Sequence, residues 1–160
     1  MVQLINETVS IVKKVEFVKK NSLIHKLMRN TGIIISKSVF PKGIKKNLGN
    51  FGKYRFSHEF TFYDFYSWGK GKNNGFNKLV DLAVGKETVF DIGAHIGLCS
   101  MPVSRVLNEG GRCYAFEPAK ANIKFLKQHL KMNNINNVHV IENLVGDERL
   151  ERVGDRKSVV

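Results

Sequence analysis

Residues 90–97 read FDIGAHIG and close a short apolar run that begins at Thr88. An acid stands two positions ahead of one glycine, and a second glycine follows four positions after the first. An apolar strand running into a glycine loop and then into further apolar residues is the start of a βαβ unit. Glycine there lets a ligand approach the backbone with no Cβ in the way. A dinucleotide-binding fingerprint needs G-x-G-x-x-G, its middle glycine admitting a pyrophosphate. Here that middle place is His95 and the pattern is G-x-x-x-G, which argues against a phosphate cradle and disfavours NAD.

The surrounding pattern is regular from residue 76 onward. Phe76, Leu79, Val80 and Ala83 fall on one face of a short helix that Gly85 is placed to end. TVFDIG (88–93) reads as a strand, and Ile96 to Leu107 as a helix that Pro102 either kinks or starts late. After the Gly110-Gly111 turn, RCYAFE (112–117) reads as a second strand, with Pro118 at the first helical position. The next helix, to about Met132, points Ile123, Leu126 and Leu130 inward and sets Lys120, Lys124, Lys127 and Lys131 in a solvated stripe. Residues 133–137 make an Asn-rich turn, and VHVI (138–141) is a third strand. Strands alternating with helices predict an α/β fold with a parallel sheet, its strands ordered third, second, first.

The acids at the strand ends carry the ligand argument. Asp91 at the carboxyl end of the first strand would repel a pyrophosphate but suits a ligand bearing an ammonium and a sulfonium. Glu117, ending the second strand, is placed to accept hydrogen bonds from two ribose hydroxyls, a role that also serves NAD. Acid-x-Gly after one strand together with an acid after the next points to S-adenosylmethionine. Taken singly, Asp91 is equally a turn or helix-cap residue.

VFDIGAHIGLCS followed by GGRCYAFEPAKANIKFLKQHLKMNNINNVHVIENLVGD resembles the FkbM family of S-adenosylmethionine-dependent methyltransferases. That family shows a D-x-G-A-N-x-G loop, a strand ending in A-F-E-P, a helix closing on N-x-x-x-N, and a V-x-V strand leading to G-D. The match spans about residues 76–147. It implies a class I Rossmann-like methyltransferase fold acting on hydroxyl oxygens of sugars or related metabolites, so the acceptor would be a small molecule or a glycan. Carried over by position, Asp91, Gly93, Ala94, His95 and Gly97 would line the methionine end of the cofactor. Glu117 would hold the ribose, Pro118 would shape that turn, and Asn143 would touch the adenine. His95 stands where the family has Asn, which leaves the backbone role intact, and Leu144 replaces a smaller residue beside the adenine.

The first 75 residues have a different character. Residues 1–78 hold 15 Lys/Arg against 4 Asp/Glu, whereas residues 79–160 hold 11 against 10, so nearly all of the net charge of +12 lies in the first half. A basic half favours anionic partners or is a solvated surface. Residues 3–30 have loosely helical apolar spacing with Lys pairs between; such a helix packs on its own domain or a partner, or lies on a membrane surface. Asn30-Thr31-Gly32 and Pro41-Lys42-Gly43 punctuate the chain, and IIIS (33–36) between them is a candidate strand. Residues 51–68 hold nine of the sixteen aromatics and read as a hairpin and loop packing on the core. Exposed, the same rings would make a stacking platform for single-stranded nucleic acid or an aromatic wall for sugars. GKGKNNG (69–75) reads as a loop.

The expected organisation is thus a basic extension over 1–75 and an incomplete cofactor-binding unit over 76–160. Cys99 and Cys113 form neither a disulfide framework nor a metal site and read as small buried side chains. No apolar run approaches the ~20 residues that span a bilayer, and the first residues lack the pattern of a secretory signal, so a cytoplasmic location is the expectation. Only three parallel strands are legible before the chain stops, which would leave the strand at 88–91 an open edge. No general base for methyl transfer is identifiable. The chain therefore reads as a fragment or truncated form, too short to act alone and expected to bind cofactor weakly or not at all. A second reading, from another class, is a non-catalytic module whose basic, aromatic first half binds nucleic acid or an anionic membrane.

Overall fold

A computed structural model describes residues 22–71 and 74–146. The chain enters through helix α1 (Ser22–Val39). A single helix therefore replaces both the break expected at Asn30–Gly32 and the strand expected at 33–36, and it runs nine residues past the expected end; residues 3–21 lie outside the described residues. Packing overrides the β-branched propensity of IIIS. A Cβ on Gly32 would come within 2.3 Å of Phe62 Cζ, so glycine is what lets this turn of helix sit on that ring. One turn on, Ser36 Oγ shares a 2.8 Å hydrogen bond with His58 Nδ1.

Strands β1 (Ile44–Asn47) and β2 (Lys53–Phe56) form an antiparallel hairpin with Ile44 opposite Phe56 and Asn47 opposite Lys53. A hairpin was expected within 51–68, but β2 takes its partner from upstream. The run from Phe60 to Trp68, read as strand material, is instead a 3-10 turn at His58–Phe60 followed by further turns. β-Propensity in aromatics reflects the burial of bulky rings, and here turns achieve it. Phe56 stacks on Phe65 at 4.3 Å, Phe60 meets Phe125 edge-on at 5.0 Å, and Trp68 stacks on Phe76 at 4.6 Å. Most of these rings pack on the core as expected, and a continuous exposed platform does not form.

Helix α2 (Gly75–Ala83) buries Val80 and Ala83 and ends where Gly85 takes φ +69°. Leu79, expected inside, is exposed. At about 100° per residue, Phe76, Val80 and Ala83 make one narrow stripe, and the stacking of Phe76 on Trp68 turns Leu79 to its side.

Strands β3 (Thr88–Ile92), β4 (Arg112–Phe116) and β5 (Val138–Ile141) form a parallel sheet in the order β3-β4-β5, with β3 at one edge. Asp91 pairs with Ala115, and Ala115 with Val140. This is the expected α/β, Rossmann-like arrangement in the expected strand order. Helix α3 is only Ser100–Ser104, against an expected span of 96–107. The chain reaches it through turns, Pro102 sits in its first turn, and beyond Ser104 the bonds tighten to Arg105 N–H onto the Pro102 carbonyl and Val106 N–H onto that of Val103. Helix α4 (Lys120–Met132) starts two residues after Pro118, which is therefore not its first residue. Glu117 sets that start, because its Oε1 accepts the backbone N–H of Ala119 at 3.0 Å. Ile123, Leu126 and Leu130 are buried as expected, and the four lysines of α4 are exposed.

One buried cluster extends from Leu48 through Phe56, Phe65, Val80, Met101 and Leu126 to Val138. The sheet turns Asp91, Cys113, Ala115 and Val138 towards it. The opposite face carries a ladder of rings, Phe90 on Tyr114 at 5.6 Å and Tyr114 on His139 at 5.3 Å, with Phe90 and Ile92 exposed. Among the described residues, no helix is long and apolar enough to cross a membrane.

Candidate ligand site at the carboxyl end of the parallel sheet

The loop Gly93–Gly97 leaves β3 at the carboxyl end of the sheet, where open α/β sheets bind ligands. Its shape follows from three left-handed residues: Gly93 at φ +84°, His95 at φ +50° and Gly97 at φ +92°. The two glycines adopt this region without strain. His95 is one of the side chains found there more often than most, as is Asn, so the backbone explains why His can stand where the resembling pattern has Asn.

Four of the five N–H groups of this loop are spent inside the protein. Gly93 and Ala94 both donate to the Phe116 carbonyl at 2.9 Å, and His95 donates to Glu117 Oε2 at 2.8 Å. Gly97 donates to the Ala94 carbonyl at 2.8 Å. A phosphate-binding loop keeps such donors free for its anion, so this one is not arranged as a phosphate cradle.

Glu117 is buried and knits the site together. Besides His95 it holds Ala119 N–H and, at 3.1 Å, the side-chain amide of Asn122. This clamp between the ends of β3 and β4 is a role the motif reading did not anticipate. Asp91 lies on the inner face of β3, buried, and accepts a hydrogen bond from Ser100 Oγ. Burial pushes its carboxyl above the usual carboxylate range; the Ser100 hydrogen bonds oppose this and the charge of Glu117 adds to it. Ser100 was not singled out from the sequence, although its place in the first turn after the loop was the available signal.

The two glycines differ in their surroundings. A Cβ on Gly93 would meet nothing within 4 Å, whereas one on Gly97 would come within 2.8 Å of Leu126 Cδ1. Gly93 thus faces open space, and Gly97 is where the loop presses on α4. Ala94 is buried, His95 exposed and Pro118 half-buried, while Asn143 is exposed just beyond β5. Asp91, Gly93, Ala94, His95, Glu117 and Pro118 are brought to one end of the sheet; Asn143 follows the neighbouring strand.

His129, also absent from the sequence-derived set, supports the loop from below. It is fully buried; Nδ1 donates to the Ile96 carbonyl at 2.9 Å, and Nε2 accepts the Ser57 N–H at 3.1 Å. Burial holds its pKa below the ordinary histidine value, against the opposing effects of the Ile96 carbonyl and Glu59. Cys99 and Cys113 are free and buried, as expected, and burial pushes the Cys113 thiol up to about 12. Among the described residues, no group of three His, Cys, Asp or Glu is placed to hold a metal ion.

No family model matches the chain, and no curated protein matches it. Solved structures similar to it include a putative rRNA methylase from Clostridium thermocellum, at 19% identity and a TM-score of 0.41 over 46% of this chain and 40% of that one. A putative methyltransferase from Streptococcus mutans in complex with SAH has 18% identity and a TM-score of 0.41, over 46% and 40%. An O-methyltransferase from Bacillus cereus, also in complex with SAH, has 22% identity and a TM-score of 0.38, over 44% and 32%. The chain covers well under half the length of each. At these identities and scores the likeness adds nothing to what the strand order and the loop geometry show.

Proposed function

We propose that the chain carries the cofactor side of an S-adenosylmethionine-dependent methyltransferase of the FkbM type, acting on a hydroxyl of a sugar or related metabolite, with residues 76–160 as the cofactor-binding unit and 1–75 as a basic extension. The observation that carries this reading is the loop's internally spent N–H groups beside two buried acids, Asp91 and Glu117. That combination disfavours a pyrophosphate and favours a cationic ligand with a ribose. S-Adenosylmethionine supplies an electrophilic methyl group when bound.

The residues present suit it in the following way. Gly93 leaves the loop's outer side open for close approach, and the Asp91 carboxylate lies beneath it as a compensating negative charge. Ala94, His95 and Gly97 hold the loop's curvature, Pro118 shapes the turn after β4, and Asn143 is the candidate for the adenine edge. Glu117 is the ribose residue. A carboxylate offers about four lone-pair sites, and three protein donors already use this one. One hydroxyl can therefore be accepted directly, and the second requires the Asn122 amide, the one side-chain donor of the three, to turn aside.

Ligand-observed NMR, which detects millimolar affinities, tests this on the chain as it stands. S-Adenosylmethionine is expected to bind and to be displaced by S-adenosylhomocysteine, with NAD failing to compete. Glu117→Ala should abolish binding, and Asn122→Ala should retain it, with circular dichroism confirming that both variants fold. Displacement by NAD, or unchanged affinity in Glu117→Ala, would overturn the assignment.

A further inference from the structure

Among the described residues, helix α1 packs on the rest of the fold chiefly through one side. Gly32 rests on Phe62, and Ser36 is bonded to His58. At about 100° per residue, Leu23, Leu27 and Ile34 fall on a line directly opposite that packed side, with Met28, Ile35 and Val39 on one flank. All six are exposed, Leu23 at 76%, Leu27 at 67% and Ile34 at 65%. The other flank carries Lys26 and Lys37 on a common line, Lys37 also lying 3.9 Å from Glu59 Oε1, whereas Arg29 falls on the packed line with Ser36. The helix contains no acidic residue. An exposed aliphatic line bordered by cations is the surface of a helix that lies in a lipid–water interface.

We infer that α1 docks the protein on an anionic bilayer, inserting Leu23, Leu27 and Ile34 and setting Lys26 and Lys37 among the headgroups. The chemistry selects this occupant over two others. A single-stranded nucleic acid would match the charge but stacks on aromatic rings, and every exposed apolar residue of the helix is aliphatic. A second copy would cover the aliphatic line but would bring two helices of like charge together, with no acid on either to offset them. The first 78 residues, with 15 basic residues against 4 acidic, carry the same sign. This inference stands independently of the methyltransferase reading.

The 160-residue chain is sedimented with vesicles of phosphatidylcholine and phosphatidylserine, and separately with vesicles of phosphatidylcholine alone. Binding to the anionic vesicles only is expected, weakening as salt is raised. Each cation brought to such a surface contributes about fivefold, so Lys26→Gln/Lys37→Gln should lower partitioning about twenty-fivefold. Leu27→Asn/Ile34→Asn, at exposed positions that leave the fold intact, should release the protein, whereas Leu82→Asn, exposed on α2, should not. Equal partitioning onto neutral vesicles, no binding to either, or binding that survives Leu27→Asn/Ile34→Asn would overturn the inference. So would a dimer in sedimentation velocity that the same pair of substitutions dissociates.

Discussion

His129→Leu separates a structural account of this histidine from a merely steric one. The ring is fully buried, in edge contact with Phe56 at 5.1 Å and Phe60 at 5.3 Å, and both nitrogens are bonded to backbone groups. Leucine fills much of the space but leaves the Ser57 N–H and the Ile96 carbonyl without partners. Each stranded group costs about 1–3 kcal/mol, and the added apolar surface returns about 1 kcal/mol, for a net loss of about 1–5 kcal/mol. Urea unfolding can be followed through Trp68, the single tryptophan and a buried one. With a urea slope near 2 kcal/mol/M, the midpoint should fall by about 0.5–2.5 M. The pH dependence gives a second check. Because burial depresses the folded-state pKa of His129, the unfolded chain binds the proton first as pH falls. The stability His129 contributes is complete above the unfolded value of about 6.5 and declines below it. The gap between wild type and His129→Leu should therefore narrow as pH drops below that value. His58, also depressed chiefly by burial, titrates in both proteins and cancels in the difference. A loss under about 1 kcal/mol, or a gap that widens on acidification, would refute the reasoning.

Three further substitutions probe the glycine loop and its acid. Gly97→Ala places a Cβ within 2.8 Å of Leu126 in a left-handed backbone, so thermal unfolding should show a loss of about 2–4 kcal/mol. Gly93→Ala, left-handed but facing open space, should lose only about 1–2 kcal/mol, and equal losses at the two sites would contradict the packing described for Gly97. Asp91→Asn should raise the melting temperature at neutral pH while weakening binding of S-adenosylmethionine. The raised folded-state pKa of Asp91 means its ionisation counts against the fold once pH exceeds the unfolded value of about 3.9. The gain should accordingly disappear below that pH, and a variant less stable than wild type at pH 7 would show that Ser100 fails to accept the amide in place of the carboxylate.

The parallel sheet was legible because its signals are local. VFDIG, CYAFE and VHVI are short apolar runs bounded by glycine and asparagine, and α4 shows its buried face in Ile123, Leu126 and Leu130. Elements decided by distant partners were not legible. IIIS has strand propensity, and only the fit of Gly32 on Phe62 and of Ser36 on His58 makes it helix. The aromatics after Phe60 resemble strand material because strands and buried turns both demand bulky side chains. At the site, the residues on the loop itself were found from spacing, whereas Ser100, Asn122 and His129 act through hydrogen bonds that no spacing announces.

Helix α4 explains how so small a sheet holds a left-handed loop in place. On one side Leu126 bears on Gly97, and His129 takes the carbonyl of Ile96. On the other, His129 takes the N–H of Ser57, and Asn133 bonds both the N–H of Arg55 at 2.7 Å and its carbonyl at 2.8 Å. The hairpin end and the glycine loop thus meet two faces of one helix, joined through a residue, His129, that touches both. Displacing β2 by the length of a hydrogen bond would cost the Ser57 contact and free the ring that fixes Ile96. The shape of the loop at 93–97 therefore depends on residues 53–57 as well as on its own glycines. For this reason the basic N-terminal half cannot be removed without loosening the loop that it never touches in sequence.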